Sequence, residues 1–129
     1  MPTALSKDST TRHGCRVAIL VKQPAEAFDI TDASDPTCGF LLASGRWCEV
    51  VVPVNDGNKH IVISSLYGHS GASGEKANRS SGSLYQLNEE LIKRALARAK
   101  ACGLPYYLCT DLNIDPRESD AINTARTKG

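Results

Sequence analysis

The sequence has no excess of either charge: fifteen Lys and Arg stand against fourteen Asp and Glu, a formal net charge of +1. That balance excludes a nucleic-acid tail or membrane-surface patch carried by bulk charge, so any polyanion binding has to come from local placement. No stretch approaches the roughly 18 apolar residues that a membrane span needs, and Met1 to Gly14 contains no apolar signal-like region. The expectation is a soluble, intracellular protein of the cytoplasm or nucleus with no membrane partner. There is no CxxC pair either. The five cysteines, Cys15, Cys38, Cys48, Cys102 and Cys109, are odd in number and point to reduced thiols rather than a disulfide frame. Neither they nor His13, His60 and His69 fall at zinc-ligand spacing, so the cysteines other than Cys109, which lies beside a catalytic candidate, read as small buried hydrophobes in strands and a helix. Internal repeats are absent.

What is present suits one compact domain. A chain of 129 residues with 41% apolar content can build a real core but not two. Residues 1–13, rich in Ser, Thr and charge, read as a disordered lead-in to a domain at 14–129. Four apolar, largely β-branched or aromatic runs predict strands at 17–21, 48–54, 61–66 and 106–109. They alternate poorly between apolar and polar, which predicts strands covered on both faces, as in a layered α/β sandwich. Asn55-Asp56-Gly57-Asn58 predicts a tight turn and hence an antiparallel hairpin between the second and third runs.

Two helices carry start and stop signals. Ser83 and Gln86 form a capping box, Leu84, Leu87, Leu91, Ile92, Ala95, Leu96 and Ala99 recur at helical spacing, and Gly103 and Pro105 end the helix. Asp115-Pro116-Arg117-Glu118 starts the second, with an acidic cap and a proline at the first position. Gly68 to Gly82 reads as a surface loop. Residues 22–46, broken by Gln23-Pro24 and Asp35-Pro36, read as mostly loop with a short strand at 40–43.

The sharpest chemical feature is the end of the last strand, Tyr107-Leu108-Cys109-Thr110-Asp111-Leu112-Asn113. Side chains alternate along a strand, so Asp111 and Asn113 are expected on one side and Leu112 in the core. Ligands of open α/β folds collect at the carboxyl ends of strands. Asp and Asn at such a place also serve simply to turn the chain. A thiol nucleophile at Cys109 would need a histidine base that the local sequence does not supply.

This segment resembles the Gly-Asp-x-Asn strand end of the endonuclease/exonuclease/phosphatase superfamily, with Thr110 in place of the usual glycine. That superfamily includes abasic-site and retrotransposon endonucleases, deadenylases and inositol phosphatases. Upstream, Ile61-Val62-Ile63-Ser64-Ser65-Leu66-Tyr67-Gly68-His69 is similar to the family's strand ending in a functional tyrosine, and Gly14-Cys15-Arg16-Val17-Ala18-Ile19-Leu20-Val21 resembles the strand that begins its middle third. The resemblance covers most of residues 14–122. It implies the four-layer α/β-β/α sandwich of the DNase I-like fold, with mixed, largely antiparallel sheets flanked by helices. It also implies hydrolysis of phosphodiester or phosphate ester bonds with Mg or Mn as cofactor. Asp111 would orient and deprotonate the attacking water, Asn113 would bind a phosphate oxygen or the transition state, Tyr67 would donate a hydrogen bond to the phosphate or interact with a partner carboxylate, and His69 would touch phosphate. Asp111 and Asn113 are also the metal-ligand candidates.

The family's early asparagine, its metal-binding glutamate and its Asp-His pair cannot be placed: the sole acid before Val17 is Asp8, and no Asp-His pair follows Asn113. The expectation is therefore an incomplete domain, a central fragment weakly active or inactive alone. Its exposed sheet edges would invite self-association or a completing chain. The partner is nucleic acid or a phosphorylated small molecule, with DNA, RNA and small esters all open. A non-catalytic interaction or phosphate-binding module on the same scaffold is the alternative. A P-loop is not matched, because Gly74-Glu75-Lys76 places an acid where Gly-Lys-Ser/Thr is required. Lys76, Arg79, Lys93, Arg94, Arg98 and Lys100 read as the solvated face of the first helix and its loop.

Overall fold

The computed structural model describes residues 17–22, 26–75, 80 and 82–128. The lead-in expected at 1–13, Cys15, and the basic residues Lys76 and Arg79 lie outside them. The elements run α1 (Pro36–Ala43), β1 (Trp47–Val54), β2 (Lys59–Tyr67), a 3-10 turn (Ala72–Glu75), α2 (Leu84–Cys102), β3 (Tyr106–Asp111), a second 3-10 turn (Pro116–Glu118) and α3 (Asp120–Thr127).

The expected hairpin forms. Asn55, Asp56 and Gly57 adopt φ of 53°, 55° and 85°, the left-handed conformations that Asn, Asp and Gly tolerate best. β1 and β2 therefore pair antiparallel, from Trp47 opposite Leu66 to Val54 opposite Lys59. β3 then joins the other side of β2 in parallel, with Tyr67 opposite Asp111. The long return that a parallel pair requires is made by α2. Sheet order is β1-β2-β3, and Phe28 bridges the outer edge of β1 through two backbone bonds with Val51.

α2 begins where the capping box placed it: Ser83 accepts from the Gln86 amide, and Gly103 closes the helix at φ 79°. Its buried face differs from the expected one. Tyr85, Asn88, Leu91, Ile92 and Ala95 face inward, whereas Leu87 is 41% exposed. The i, i+3, i+4, i+7 set through residue 85 includes a tyrosine and an asparagine, which an apolar count passes over. With Leu41, Trp47, Leu66 and Leu112, the aliphatic residues of this face form the core.

Four expectations are corrected. Residues 17–21 form no strand. The segment at 40–43 belongs to α1 rather than to a strand, because Asp35 accepts from the Thr37 amide as N-cap and Pro36 occupies the first turn; Asp-Pro starts a helix here instead of breaking one. The second predicted helix is divided: Asp115 caps only the Pro116–Glu118 turn, and Ser119 caps α3 afresh. The strands are covered on both faces only in part. β1 buries the neighbouring Val50 and Val51, each 1% exposed, on opposite faces, and Leu66 and Trp47 share the helix-side core, whereas β3 exposes Tyr107 (56%), Cys109 and Asp111 on alternate positions.

The cysteines are also less buried than expected. Cys38 is buried, Cys48 and Cys102 are half-buried, and Cys109 is exposed; all four are free thiols. Burial pushes the Cys38 thiol up. Among the basic residues, Arg98 turns inward to a buried carboxylate, and Arg94 pairs with Glu90 and stacks on Phe40, 4.7 Å from the ring centre. The described residues form a small α/β domain with three α-helices and a three-stranded mixed sheet, and none of its helices is long and apolar enough to cross a membrane.

Candidate functional site

Parallel pairing brings the ends of β2 and β3 to one corner of the sheet. Tyr67 and Asp111 are register partners, so both belong to the same row of alternate side chains. Together with Ser65, Cys109 and the segment at Val17 and Ala18, they line a cavity of about 370 Å³. A larger cavity, about 770 Å³, lies between α2 and α3, lined by Glu89, Glu90, Lys93 and Asp120 among others. We place the site at the strand ends, where a phenol and a carboxylate line one cavity; the larger groove is a helix-helix seam whose Glu89 is already engaged. Glu89 accepts from the Ser119 hydroxyl (2.7 Å) and the Ala121 amide (2.9 Å).

Asp111 is exposed and ends β3, while Leu112 is buried as expected. Asn113 reaches the corner by a different route from the one predicted. It lies beyond the strand at φ 55°, and its N–H points to Asp111 Oδ1 at a long 3.4 Å. The segment thus turns in the Asx manner. Asn113 Nδ2 donates to the Gly68 carbonyl (3.0 Å), which ties the β3 end to the β2 end. One of its two amide hydrogens is therefore engaged within the protein.

Gly68 is the hub of this corner. Its N–H donates to the Asp111 carbonyl (2.7 Å), and its own carbonyl also accepts from Arg46 Nη1 (2.9 Å). A Cβ at this position would lie 2.2 Å from the Leu112 oxygen and 2.8 Å from Asn88 Oδ1, so only glycine fits. The guanidinium of Arg46 sits 5.2 Å from the centre of the Tyr67 ring, and the Arg46 carbonyl accepts from the Tyr67 amide (2.9 Å). The cation thus lies against the phenol face, where the ring quadrupole attracts it. His69 is half-buried, and its backbone N–H donates to Asn88 Oδ1 (2.8 Å).

All four residues singled out in the sequence, Tyr67, His69, Asp111 and Asn113, lie at this corner or in the turn beside it. Sequence reasoning missed Arg46 and Asn88. Arg46 stands alone between Gly45 and Trp47 with no motif to mark it, and Asn88 interrupts an apolar helix face, which was the available signal. Among the described residues no group of three or more His, Cys, Asp or Glu side chains gathers as a metal cage. No protein-family model matches the chain, and no curated protein or solved structure shows detectable similarity to it.

Proposed function

We propose that this corner is part of a metal-dependent site hydrolysing phosphodiester or phosphate ester bonds, of the endonuclease/exonuclease/phosphatase type. In this reading the chain supplies the central portion of a four-layer sandwich and turns over weakly by itself. The observation that carries it is the pairing of Tyr67 with Asp111 at the mouth of the strand-end cavity. Asp111 is exposed and able to take a proton from water. The second amide hydrogen of Asn113, the Tyr67 phenol and the Arg46 guanidinium supply donors for phosphate oxygens. His69 follows Tyr67 by two residues and in this reading would touch phosphate.

Mg²⁺ is commonly held by one or two carboxylates together with substrate phosphate and water. Asp111 and the Asn113 amide oxygen fit part of that donor set and would hold the ion. A bound divalent cation would supply neutralisation of charge on the phosphoryl oxygens.

The test is magnesium-dependent cleavage of labelled single- and double-stranded DNA and RNA, and of a small phosphodiester. Asp111→Asn should lower the rate by about 10²–10⁴-fold, the usual worth of a positioned base. Cleavage that survives this substitution undiminished defeats the assignment. A second reading has its own support, because Asn113 is tied to Gly68 and Asp111 to the turn: a phosphate-binding module without turnover. It requires phosphate binding that is retained without metal and without cleavage.

A further inference from the structure

Asn88 projects from the inner face of α2, 1% exposed, into the angle between the two strand ends. Its amide is engaged at both ends. Oδ1 accepts from the His69 N–H (2.8 Å), and Nδ2 donates to the Leu112 carbonyl (3.0 Å). His69 follows Tyr67 by two residues, and Leu112 stands between Asp111 and Asn113. One buried side chain therefore holds both pieces of backbone that present the candidate site. The close approach at Gly68 is independent evidence for the same clamp, since its Cβ position is blocked by Leu112 and by Asn88 Oδ1.

We propose that Asn88 is a positioning residue: it fixes the β2 end and the β3 end to each other, so that Tyr67, Asp111 and Asn113 keep one relative placement. Only an amide of this length does both tasks at once. A carboxylate accepts from His69 but cannot donate to Leu112, and an alanine does neither, leaving a buried carbonyl and a part-buried N–H to find other partners. The clamp stands on geometry alone; its importance for hydrolysis rests on the reading of the corner given above.

The experiment is residue-resolved amide hydrogen exchange and NMR on the full chain, with Asn88→Ala and Asn88→Asp. Asn88→Ala should speed exchange at the His69 amide at least tenfold, beyond any change at Val50 and Val62 in the sheet. Asn88→Asp at neutral pH should keep His69 protected while shifting the Asn113 side-chain amide signals. Those signals should return toward the wild-type positions as the introduced carboxyl protonates, because a carboxylic acid again offers a donor for Leu112. A merely structural role would change protection uniformly and show no such acid rescue, and either result overturns the proposal, as does an unchanged His69 amide in Asn88→Ala. Where Asn88→Ala does not fold, the Asn88→Asp arm decides. Cleavage assays on the same proteins separate the two readings: no wild-type cleavage with an intact His69 response rejects hydrolysis and leaves the clamp.

Discussion

Arg98 reaches Glu49 across the helix-sheet interface through two nitrogens, Nε at 3.0 Å from Oε1 and Nη2 at 2.7 Å from Oε2. The carboxylate is fully buried and the Arg98 side chain is 14% exposed. Tyr106 and Thr31 hydroxyls donate to the same carboxylate, at 2.8 and 2.9 Å. Glu49 thereby joins α2, β1, β3 and the segment before α1. Hydrogen bonding to Glu49 raises the Arg98 pKa, and burial holds the Tyr106 phenol well above its ordinary range, so both remain protonated donors.

Breaking this pair from one side should be costly. Arg98→Met leaves a buried carboxylate without its cation and should lower stability by about 3–5 kcal/mol. Trp47, the single tryptophan and 1% exposed, reports the urea transition by fluorescence. Replacing both partners, Glu49→Leu with Arg98→Met, should cost less than the single change. A single variant within about 0.5 kcal/mol of wild type, the range of ordinary surface substitutions, contradicts this account.

Gly68→Ala forces a methyl onto the Leu112 carbonyl and should destabilise the domain by about 1–3 kcal/mol, the usual penalty of overpacking. Gly74→Ala meets open space and serves as the control. Equal melting curves for the two variants would mean that the close approach at Gly68 relaxes without cost.

Asp115 gives a pH signature. Hydrogen bonds from the Arg117 side chain and amide hold its carboxyl down to about 2, below the ordinary 3.8. A depressed carboxyl stabilises the fold above its unfolded pKa, and that contribution disappears as pH falls through the folded value. The relevant window thus runs from about 3.8 down to about 2. Both groups are exposed, so the readout is the NMR titration of Asp115. Its midpoint should rise in Arg117→Gln, and a midpoint that stays near 2 would assign the depression elsewhere.

The cap of α1 is a third stability test. Asp35→Ala removes the acceptor for the Thr37 amide (2.8 Å) and should cost about 0.5–2 kcal/mol. Asp35→Asn keeps an acceptor oxygen and should retain most of the stability. Indistinguishable losses in the two variants would point to the charge rather than the cap.

Local chemistry was legible wherever a residue type and its neighbours sufficed. Asn55 to Asn58 announced the hairpin, and Ser83 with Gln86 announced α2. Asp35-Pro36 was equally informative but was read for its proline alone, so a helix was taken for a loop and strand. At the site, Tyr67, Asp111 and Asn113 were recognisable by type and place. The turn that carries Asn113 out of the strand was not, because a positive φ there is stabilised by the bond to Gly68, 45 residues away.

Through periodicity, caps and turns, the sequence by itself determined three of the strands, the long helix and the residues offered at the strand ends. These signals act over a few positions and do not depend on the rest of the chain. Tertiary structure alone decided that β3 lies parallel beside β2, that Arg46 faces Tyr67, that Arg98 turns inward and that an asparagine belongs on a buried helix face. Each of these depends on desolvated polar groups finding partners between 19 and 49 residues away, and such long-range satisfaction leaves no periodic trace in the sequence.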